Sequence, residues 1–300
     1  MPQNHISICL CTYNRMQLLR NILPLLEEQE TGGFFDHSIV IVDNDASESA
    51  RPSVEAFAKG SRVGIWYFVE PQQNISLARN KAIENAKGEL VALIDDDELP
   101  GERWLLELYG ALKRFGADGV LGPVLPYFEQ QPPDWVLKGR FFERPNHETG
   151  HKLAWQNTRT GNALLRRDLF KEGGNWFDPA FGSGGEDKDF FRRKIEEGHV
   201  FVWCREAGVF EIVPPERWRT AVLVKRALLR GRMALRSSSP KARNVLMSLV
   251  AIPIYTACLP LLYILGHHLF MQYLIRDCDH LGKVLTLLGI NLVKEKYVRG

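Results

Sequence analysis

The chain has 300 residues, of which 45% are hydrophobic and 25% are charged. This composition is that of a globular protein with a sizeable core, and it excludes a disordered or collagen-like chain. The net charge of +2 hides an asymmetry, because residues 1–216 carry a net charge of −9 while residues 217–243 contain nine basic residues and no acidic one. An acidic main domain argues against nucleic-acid binding. A basic segment beside the most apolar part of the chain is typical of a protein at a membrane surface.

Strand-like and helix-like segments alternate in the first hundred residues. Apolar runs at residues 6–11, 38–42, 64–69 and 90–94 predict four strands, and residues 76–87 predict a helix with Ser76 as its N-cap. Such alternation indicates βαβ units and a mostly parallel sheet, whose ligands bind outside the carboxyl ends of the strands. Polar residues stand at three of these predicted ends, namely Thr12, Asp43 and the acidic run at residues 95–97.

The second hundred residues are less regular. Five prolines between residues 123 and 145 predict a region of loops and a β-ribbon over the site, followed by a strand at 161–166, a helix at 186–198 and a strand at 200–204. Cys9 and Cys11 lie two apart in the first predicted strand, so we expect them to share one face as small core residues. With five cysteines in all and no C-x-x-C spacing, and with no signal-peptide pattern at the first residues, we expect a reduced, cytosolic catalytic part.

The acidic run at residues 95–98 follows a buried strand directly. Adjacent carboxylates repel one another, and a bound cation offsets that repulsion. Because residues two apart point the same way in an extended chain, we predict that Asp95 and Asp97 share a direction and that Asp96 is turned away. The alternative is a solvated acidic turn that caps a helix at residues 101–115.

Six segments, taken in order, resemble those of the bacterial family 2 inverting glycosyltransferases. They are Cys-Thr-Tyr-Asn-Arg at 11–15, Ile-Val-Asp-Asn at 41–44, Leu-Ala-Arg-Asn-Lys-Ala at 77–82, Leu-Ile-Asp-Asp-Asp-Glu at 93–98, Gly-Asn at 161–162 and Gly-Glu-Asp at 185–187. The resemblance covers about residues 4–215. It implies an α/β fold of the GT-A type, a Rossmann-like, mostly parallel sheet flanked by helices. It also implies a nucleotide-sugar donor and a Mn²⁺ or Mg²⁺ cofactor.

The same resemblance implies roles for single residues. Asp187 matches the catalytic base of the Glu186-Asp187 pair, with Glu186 as the helix cap or support, and Asp97 matches the metal ligand. The residues implied for nucleotide-sugar binding are Thr12, Tyr13, Arg15, Asp43, Arg79, Asp95, Asp96, Gly161 and Asn162. Family members often carry a His near the end of the catalytic domain, where this chain has Glu211. A carboxylate binds a hard cation but does not suit contact with phosphate, so Glu211 is a second candidate metal ligand.

The chemistry agrees with these assignments. Departure of a nucleotide diphosphate leaves two negative charges, which a carboxylate-held cation stabilises. The attacking acceptor hydroxyl must lose its proton, which requires a positioned base. The alternative role for Glu186, Asp187 and Asp189 is only to favour a helix N-terminus.

The segment Val245–Leu265 has 21 residues and no charge. As a helix it would be about 31 Å long, close to the roughly 30 Å of bilayer hydrocarbon. Pro253 and Pro260 leave open a kinked span or a re-entrant hairpin, and residues 281–293 are interpreted as an interfacial helix. The third interpretation is a buried core helix. We predict a catalytic domain at 1–216, a basic juxtamembrane segment at 217–243 and membrane-associated helices at 244–300.

The sequence thus predicts a membrane-associated glycosyltransferase on the cytoplasmic face of a bacterial inner membrane. Its expected partners are a nucleotide-sugar donor, a saccharide or polyprenyl-linked acceptor in cell-surface polysaccharide assembly, and membrane lipid, with no nucleic acid. The alternatives are a polyprenyl-phosphate sugar synthase, a nucleotidyltransferase and a non-catalytic membrane-tethered binding module. A dinucleotide dehydrogenase is disfavoured, because residues 12–15 stand where a G-x-G-x-x-G turn would be required.

Overall fold

The structure is a computed structural model that describes residues 4–171, 173–182, 184–237 and 241–290. Its contacts divide the chain into two compact units, Met1–Pro126 with Arg144–Ile212, and Tyr127–Glu143 with Val213–Gly300. The strands are β1 Asn4–Thr12, β2 Phe35–Asp43, β3 Gly64–Val69, β4 Leu90–Asp95, β5 Glu98–Pro100, β6 Gly119–Leu121, β7 Val124–Tyr127, β8 Ala163–Arg166, β9 Phe201–Trp203 and β10 Val209–Ile212. The helices are α1 Met16–Glu27, α2 Arg51–Ala58, α3 Ile75–Glu84, α4 Trp104–Phe115, α5 Asp134–Gly139, α6 Glu186–Glu196, α7 Thr220–Ser237, α8 Lys241–Leu265 and α9 His267–Leu287.

The first unit is built on a seven-stranded sheet of order β3-β2-β1-β4-β8-β6-β9. The first four strands are mutually parallel, as predicted, and β8 runs antiparallel to both of its neighbours. The register places Thr12 opposite Asp43 and Cys11 opposite Asp95. The polar ends of β1, β2 and β4 therefore meet at one edge of the sheet, where parallel sheets bind their ligands.

Alternation along β1 supplies both layers of the core. Ile6, Ile8 and Leu10 face one apolar cluster, whereas Cys9 lies in the other, with Cys11 packed against it. This confirms the prediction that the two cysteines share a face. The helices cover both sides of the sheet, so the central strands are buried on both faces, as is usual for parallel sheets.

The predicted bounds of several elements are wrong by one to three residues, and two of these errors have a clear local cause. Helix α3 begins at Ile75 and its N-cap is Asn74, whose side-chain oxygen accepts from the amides of Ser76 and Leu77 at 2.9 and 3.3 Å. Asn is among the strongest N-cap residues, so it takes the position in place of Ser76. Strand β8 begins at Ala163 rather than at residue 161, because Asn162 has a left-handed φ of 63° and cannot continue a strand.

In the second unit, α7 and α9 pack at close range through two glycines. A Cβ on Gly231 would lie 2.0 Å from the carbonyl oxygen of Asp279, and one on Gly282 would lie 2.3 Å from that of Leu228. Only glycine permits this approach of two helix backbones. Arg230 on α7 also donates to both carboxylate oxygens of Asp279 at 2.9 and 2.8 Å.

Helix α8 contains the apolar segment Val245–Leu265, and only 6% of its most apolar window is buried. The interpretation as a buried core helix is therefore wrong for the part of the chain described. α8 continues through both Pro253 and Pro260. The interfacial helix predicted at residues 281–293 is instead the end of α9, which begins at His267 and ends at Leu287, while residues 291–293 lie outside the described range.

Candidate active site

A tight turn follows β4 at the ligand-binding edge of the sheet. Asp95 is the last residue of β4, Asp96 and Asp97 form the turn, and Glu98 begins β5. The Glu98 carboxylate accepts from the Asp95 amide at 3.1 Å, and the Asp97 carbonyl accepts from the Ile212 amide at 2.8 Å. The turn is thus fixed both by its own acidic side chain and by β10.

Asp96 and Asp97 share one arginine. Asp96 is buried and accepts from Thr12 Oγ1 at 2.8 Å and from Arg15 Nη1 at 2.8 Å. The same Arg15 nitrogen lies 3.5 Å from Asp97 Oδ2. The prediction that Asp96 is turned away is wrong, because the strand ends at Asp95 and the Asp96 side chain shares Arg15 with Asp97.

Burial and mutual repulsion raise the pKa of the carboxyl groups in the turn and directly after it. Burial, together with the nearby charges of Asp95, Asp96 and Glu211, raises the pKa of Asp97 to about 7, against the lowering effect of Arg15. Burial also raises the pKa of Glu98 well above its ordinary value. Glu211 pairs with Glu98 across β10 and β5, and its carboxylate lies 2.6 Å from Arg144.

Asp43 ends β2 as a fully buried carboxylate. It accepts hydrogen bonds from the amides of Ala50 and Asp45 and from the Tyr67 hydroxyl, at 2.8, 3.1 and 2.9 Å. Burial raises the pKa of Asp43, and these bonds act in the opposite direction. The backbone N–H of the neighbouring Asn44 donates to the Thr12 carbonyl at 2.8 Å, and this bond connects the ends of β1 and β2.

A buried arginine joins β4 to α6. Arg79 on α3 donates to Glu186, the first residue of α6, and its other terminal nitrogen lies 3.1 Å from Asp95 Oδ1. Burial favours loss of the Arg79 proton, but Glu186 and Asp95 outweigh it and raise the pKa. Burial raises the pKa of Glu186 to about 7 against the effect of Arg79, and its second oxygen Oε2 has no partner among the described atoms.

The predicted base, Asp187, is half-buried beside this bridge. One of its oxygens accepts from the Lys188 amide at 2.7 Å, and the Lys188 ammonium donates to the Gln156 carbonyl at 2.6 Å. The residues before α6, Gly184 and Gly185, have φ values of 129° and 94°. Glu186 is thus held inward by Arg79, and Asp187 keeps an exposed edge.

The Gly161-Asn162 pair has a different environment. A Cβ on Gly161 would lie 2.4 Å from Glu98 Oε1, so only glycine leaves room for that carboxylate. The fully buried Asn162 side chain accepts from Trp104 Nε1 and donates to the carbonyls of Pro123 and Ala207. Its amide is engaged within the protein, which gives Asn162 a structural part in the site.

The family model described as Glycosyl transferase family 2 matches residues 7–174. The chain belongs to this family. It is therefore a glycosyltransferase, and the resemblance found in the sequence is confirmed.

Individual proteins support the same assignment for this glycosyltransferase. The succinoglycan biosynthesis protein ExoM of Rhizobium meliloti (strain 1021) is 36% identical over 247 residues, which are 80% of this chain and 77% of ExoM. The mannosyltransferase PcManGT from Pyrobaculum calidifontis, solved with GDP-Man and Mn²⁺, has a TM-score of 0.60 at 16% identity, covering 95% of this chain and 88% of that one. TarS 1–349 of S. aureus, solved with UDP, has a TM-score of 0.53 at 15% identity, covering 97% and 95%. These two likenesses confirm the GT-A type of fold.

The structure of the glycosyltransferase gathers most of the predicted residues into two groups. Thr12, Arg15, Asp96 and Asp97 form one, and Arg79, Asp95 and Glu186 form the other. Asp187 follows the second group directly, and Glu211 acts on Asp97 electrostatically. Tyr13 lies half-buried beside Thr12, and Asp43 lies opposite Thr12 in the sheet.

Sequence reasoning missed three charged residues of this site, namely Glu98, Arg144 and Arg159. Glu98 was recognisable only as part of the acidic run, and Arg144 lies in a proline-rich stretch without a motif. Arg159 stands two residues before Gly161, which was a usable signal. Its Nε is buried with no hydrogen-bond partner among the described atoms, and burial and Arg144 lower its pKa to about 10.

The Arg79 bridge predicts strong coupling between two side chains. Replacing Arg79 with Met leaves Glu186 buried without its partner, so we expect the free energy of unfolding to fall by about 3–5 kcal/mol. In the double variant Arg79→Met/Glu186→Gln the loss should be clearly smaller than the sum of the two single losses, as measured by urea denaturation.

The exposed pair Arg192 and Glu196 on the same helix, 3.4 Å apart, serves as the control. Its single variants should each change the free energy of unfolding by less than about 1 kcal/mol. Additive losses at Arg79 and Glu186 would contradict the bridge.

Proposed function

We propose that this glycosyltransferase moves a sugar from a nucleotide-diphosphate sugar to an acceptor hydroxyl, with inversion, during polysaccharide assembly. The observation that carries the proposal is the Asp95–Arg79–Glu186 bridge, which fixes the Glu186-Asp187 pair relative to the acidic turn at the edge of the sheet. The name of ExoM supports a polysaccharide product, and the nucleotides in the two solved structures support the class of donor.

A divalent cation fits the acidic turn. No group of three His, Cys, Asp or Glu side chains in the described ranges is arranged to hold a metal. The donor set nevertheless suits a hard cation, because Asp97 is a half-buried carboxylate beside three other acids, Asp95, Asp96 and Glu211. Asp97 would hold Mn²⁺ or Mg²⁺, and Glu211 would join it on exchanging its contact with Arg144. The cation would supply positive charge for the leaving diphosphate.

The proposed base is Asp187. It lies at the first turn of α6, and in the described part of the chain one of its oxygens accepts the backbone hydrogen bond from Lys188. The other oxygen would accept the proton of the acceptor hydroxyl. Glu186 is unsuited to this part because Arg79 holds it inward. Attack from the side opposite the departing nucleotide, assisted by one base, is a single displacement and inverts the anomeric centre.

Arg159 is the proposed contact for the donor diphosphate. It belongs to the segment that passes over Glu98, and the charges of Glu98, Asp187 and Glu211 all act on it. A buried Nε without a hydrogen-bond partner among the described atoms is costly, and a bound diphosphate would supply acceptor oxygens to it. Arg159 would orient the leaving group and neutralise part of its charge.

The proposed acceptor is lipid-linked, and the proposed location is the cytoplasmic face of the inner membrane. In the described part of the chain one helix, α8, is long and apolar enough to cross a membrane. The basic residues of 217–243 favour the cytoplasmic side. Comparing a polyprenyl-diphosphate saccharide with bare polyprenyl phosphate as acceptor separates this function from that of a polyprenyl-phosphate sugar synthase.

A thermal-shift screen tests the class of donor. At concentrations near 100 times the Kd, the matching nucleotide sugar should stabilise the protein by about 2.7 kcal/mol, a rise in Tm of several degrees. Mn²⁺ should enlarge the shift for the wild type but not for Asp97→Ala, with Glu196→Gln as a control that behaves like the wild type. The proposal fails if no nucleotide sugar shifts the Tm.

Replacing Asp187 with Asn tests the base. The change keeps the size and removes the basicity, so transfer should fall by about 10²–10⁴-fold while the Kd for the donor changes little. Initial rates of sugar transfer and calorimetric donor binding provide the two readouts. Normal transfer by Asp187→Asn, or a large loss of donor affinity, would show that Asp187 is not the base.

Replacing Arg159 with Gln tests the diphosphate contact. We expect nucleoside diphosphate to bind about tenfold or more weakly, the loss of a charged hydrogen bond, and nucleoside to bind as before. The exposed Arg205, 2.7 Å from Glu148, provides the control Arg205→Gln, which should leave both affinities unchanged. Equal weakening of nucleoside and diphosphate binding would contradict a specific phosphate contact.

A further inference from the structure

One side of α8 is an uncovered apolar surface. Leu246, Val250, Ile254, Leu261 and Ile264 form this apolar stripe, and each is between 54% and 80% exposed. Their spacings of four, four, seven and three residues place them on a single face of the helix. The stripe runs over nearly the whole length of α8.

The opposite side of α8 packs on α9. Ser248 is hydrogen-bonded to His280 at 2.9 Å, Thr256 donates to Asp277 at 2.8 Å, and Tyr255 meets Tyr273 with ring centroids 5.6 Å apart. Higher residue numbers on α8 thus pair with lower residue numbers on α9, so the two helices run in opposite directions. The two helices form an antiparallel hairpin whose connection is Gly266.

The position of Thr256 decides how this hairpin can meet a membrane. Thr256 lies at the middle of Val245–Leu265, so Asp277 sits beside the centre of the apolar segment. If α8 crossed a bilayer, α9 would enter the hydrocarbon with it and would carry four formal charges, namely Arg276, Asp277, Asp279 and Lys283. Of these, Asp277 lies beside the bilayer centre, where one charge disfavours insertion by about a hundredfold, and Asp279 is paired with Arg230 of α7. A spanning hairpin is therefore strongly disfavoured.

We propose that the α8–α9 hairpin is a monotopic membrane anchor that lies along the surface of one leaflet. The apolar stripe enters the acyl region, and the charged residues of α9, on the far side of α8, stay near water and headgroups. The nine basic residues of 217–243, most of which belong to α7, favour anionic phospholipid. The apolar stripe is thus covered by an anionic bilayer. This inference does not depend on the reaction proposed above.

Labelling from the two sides of the membrane tests the geometry. His268, next to the hairpin connection, is changed to Cys in a full-length chain carrying Cys258→Ser, since Cys258 is the exposed one of the five cysteines. A separate variant, Arg62→Cys in the first unit, reports which side of the membrane that unit occupies. In membrane vesicles of both orientations, an impermeant maleimide should label residues 62 and 268 from the same side. Labelling of residue 268 only from the opposite side, or only after detergent is added, would overturn the monotopic arrangement.

Substitution on the stripe tests the occupant. In full-length protein, Val250→Glu/Ile254→Glu should reduce flotation with vesicles of equimolar phosphatidylcholine and phosphatidylglycerol by about a hundredfold, because two exposed apolar contacts become charges. Arg62→Glu changes the net charge by the same amount at an exposed site of the catalytic unit and should have little effect. Unchanged flotation would overturn the proposal, as would a dimer without lipid that the double substitution splits.

Discussion

The rest of the candidate active site depends on the ion pairs that the buried guanidinium of Arg79 makes with Asp95 and Glu186. This guanidinium holds a carboxylate from the end of β4 and another from the start of α6, two elements that are 91 positions apart in sequence when counted from Asp95 to Glu186. Without a cation between them, burial and like charge would drive these acids apart. One side chain on α3 therefore determines where the helix with the proposed base begins.

Electrostatic compensation also explains why the acidic turn is built as it is. Asp96 accepts from Thr12 and Arg15, the half-buried Asp97 lies 3.5 Å from the same Arg15 nitrogen, and Glu98 is buried. Burial raises the pKa of all three carboxyl groups. Folding alone does not favour such an arrangement, because each carboxylate loses hydration. A positively charged ligand would offset this cost, and the divalent cation proposed for Asp97 would do so.

The parallel order of the first four strands followed from the sequence, because buried strands ending in polar residues align those residues at one edge. The orientation of Asp95, Asp96 and Asp97 did not follow. Period-two reasoning holds only while the chain is extended, and the strand ends at Asp95. The pairings of Arg79 with Glu186 and of Arg144 with Glu211 join distant positions, which local patterns do not encode. The first part of α9, from His267 to residue 280, was not predicted, because its charged residues interrupt the apolar pattern of a helix that packs on α8.

The carbonyl of Asp97 binds the amide of Ile212 and so fastens the acidic turn to β10. That bond belongs to the main chain, and it persists whichever side chain stands at this position. Shape and charge at the turn are therefore set by different atoms of one residue. A substitution at position 97 can therefore change the charge of the turn without removing the bond that holds the turn to β10.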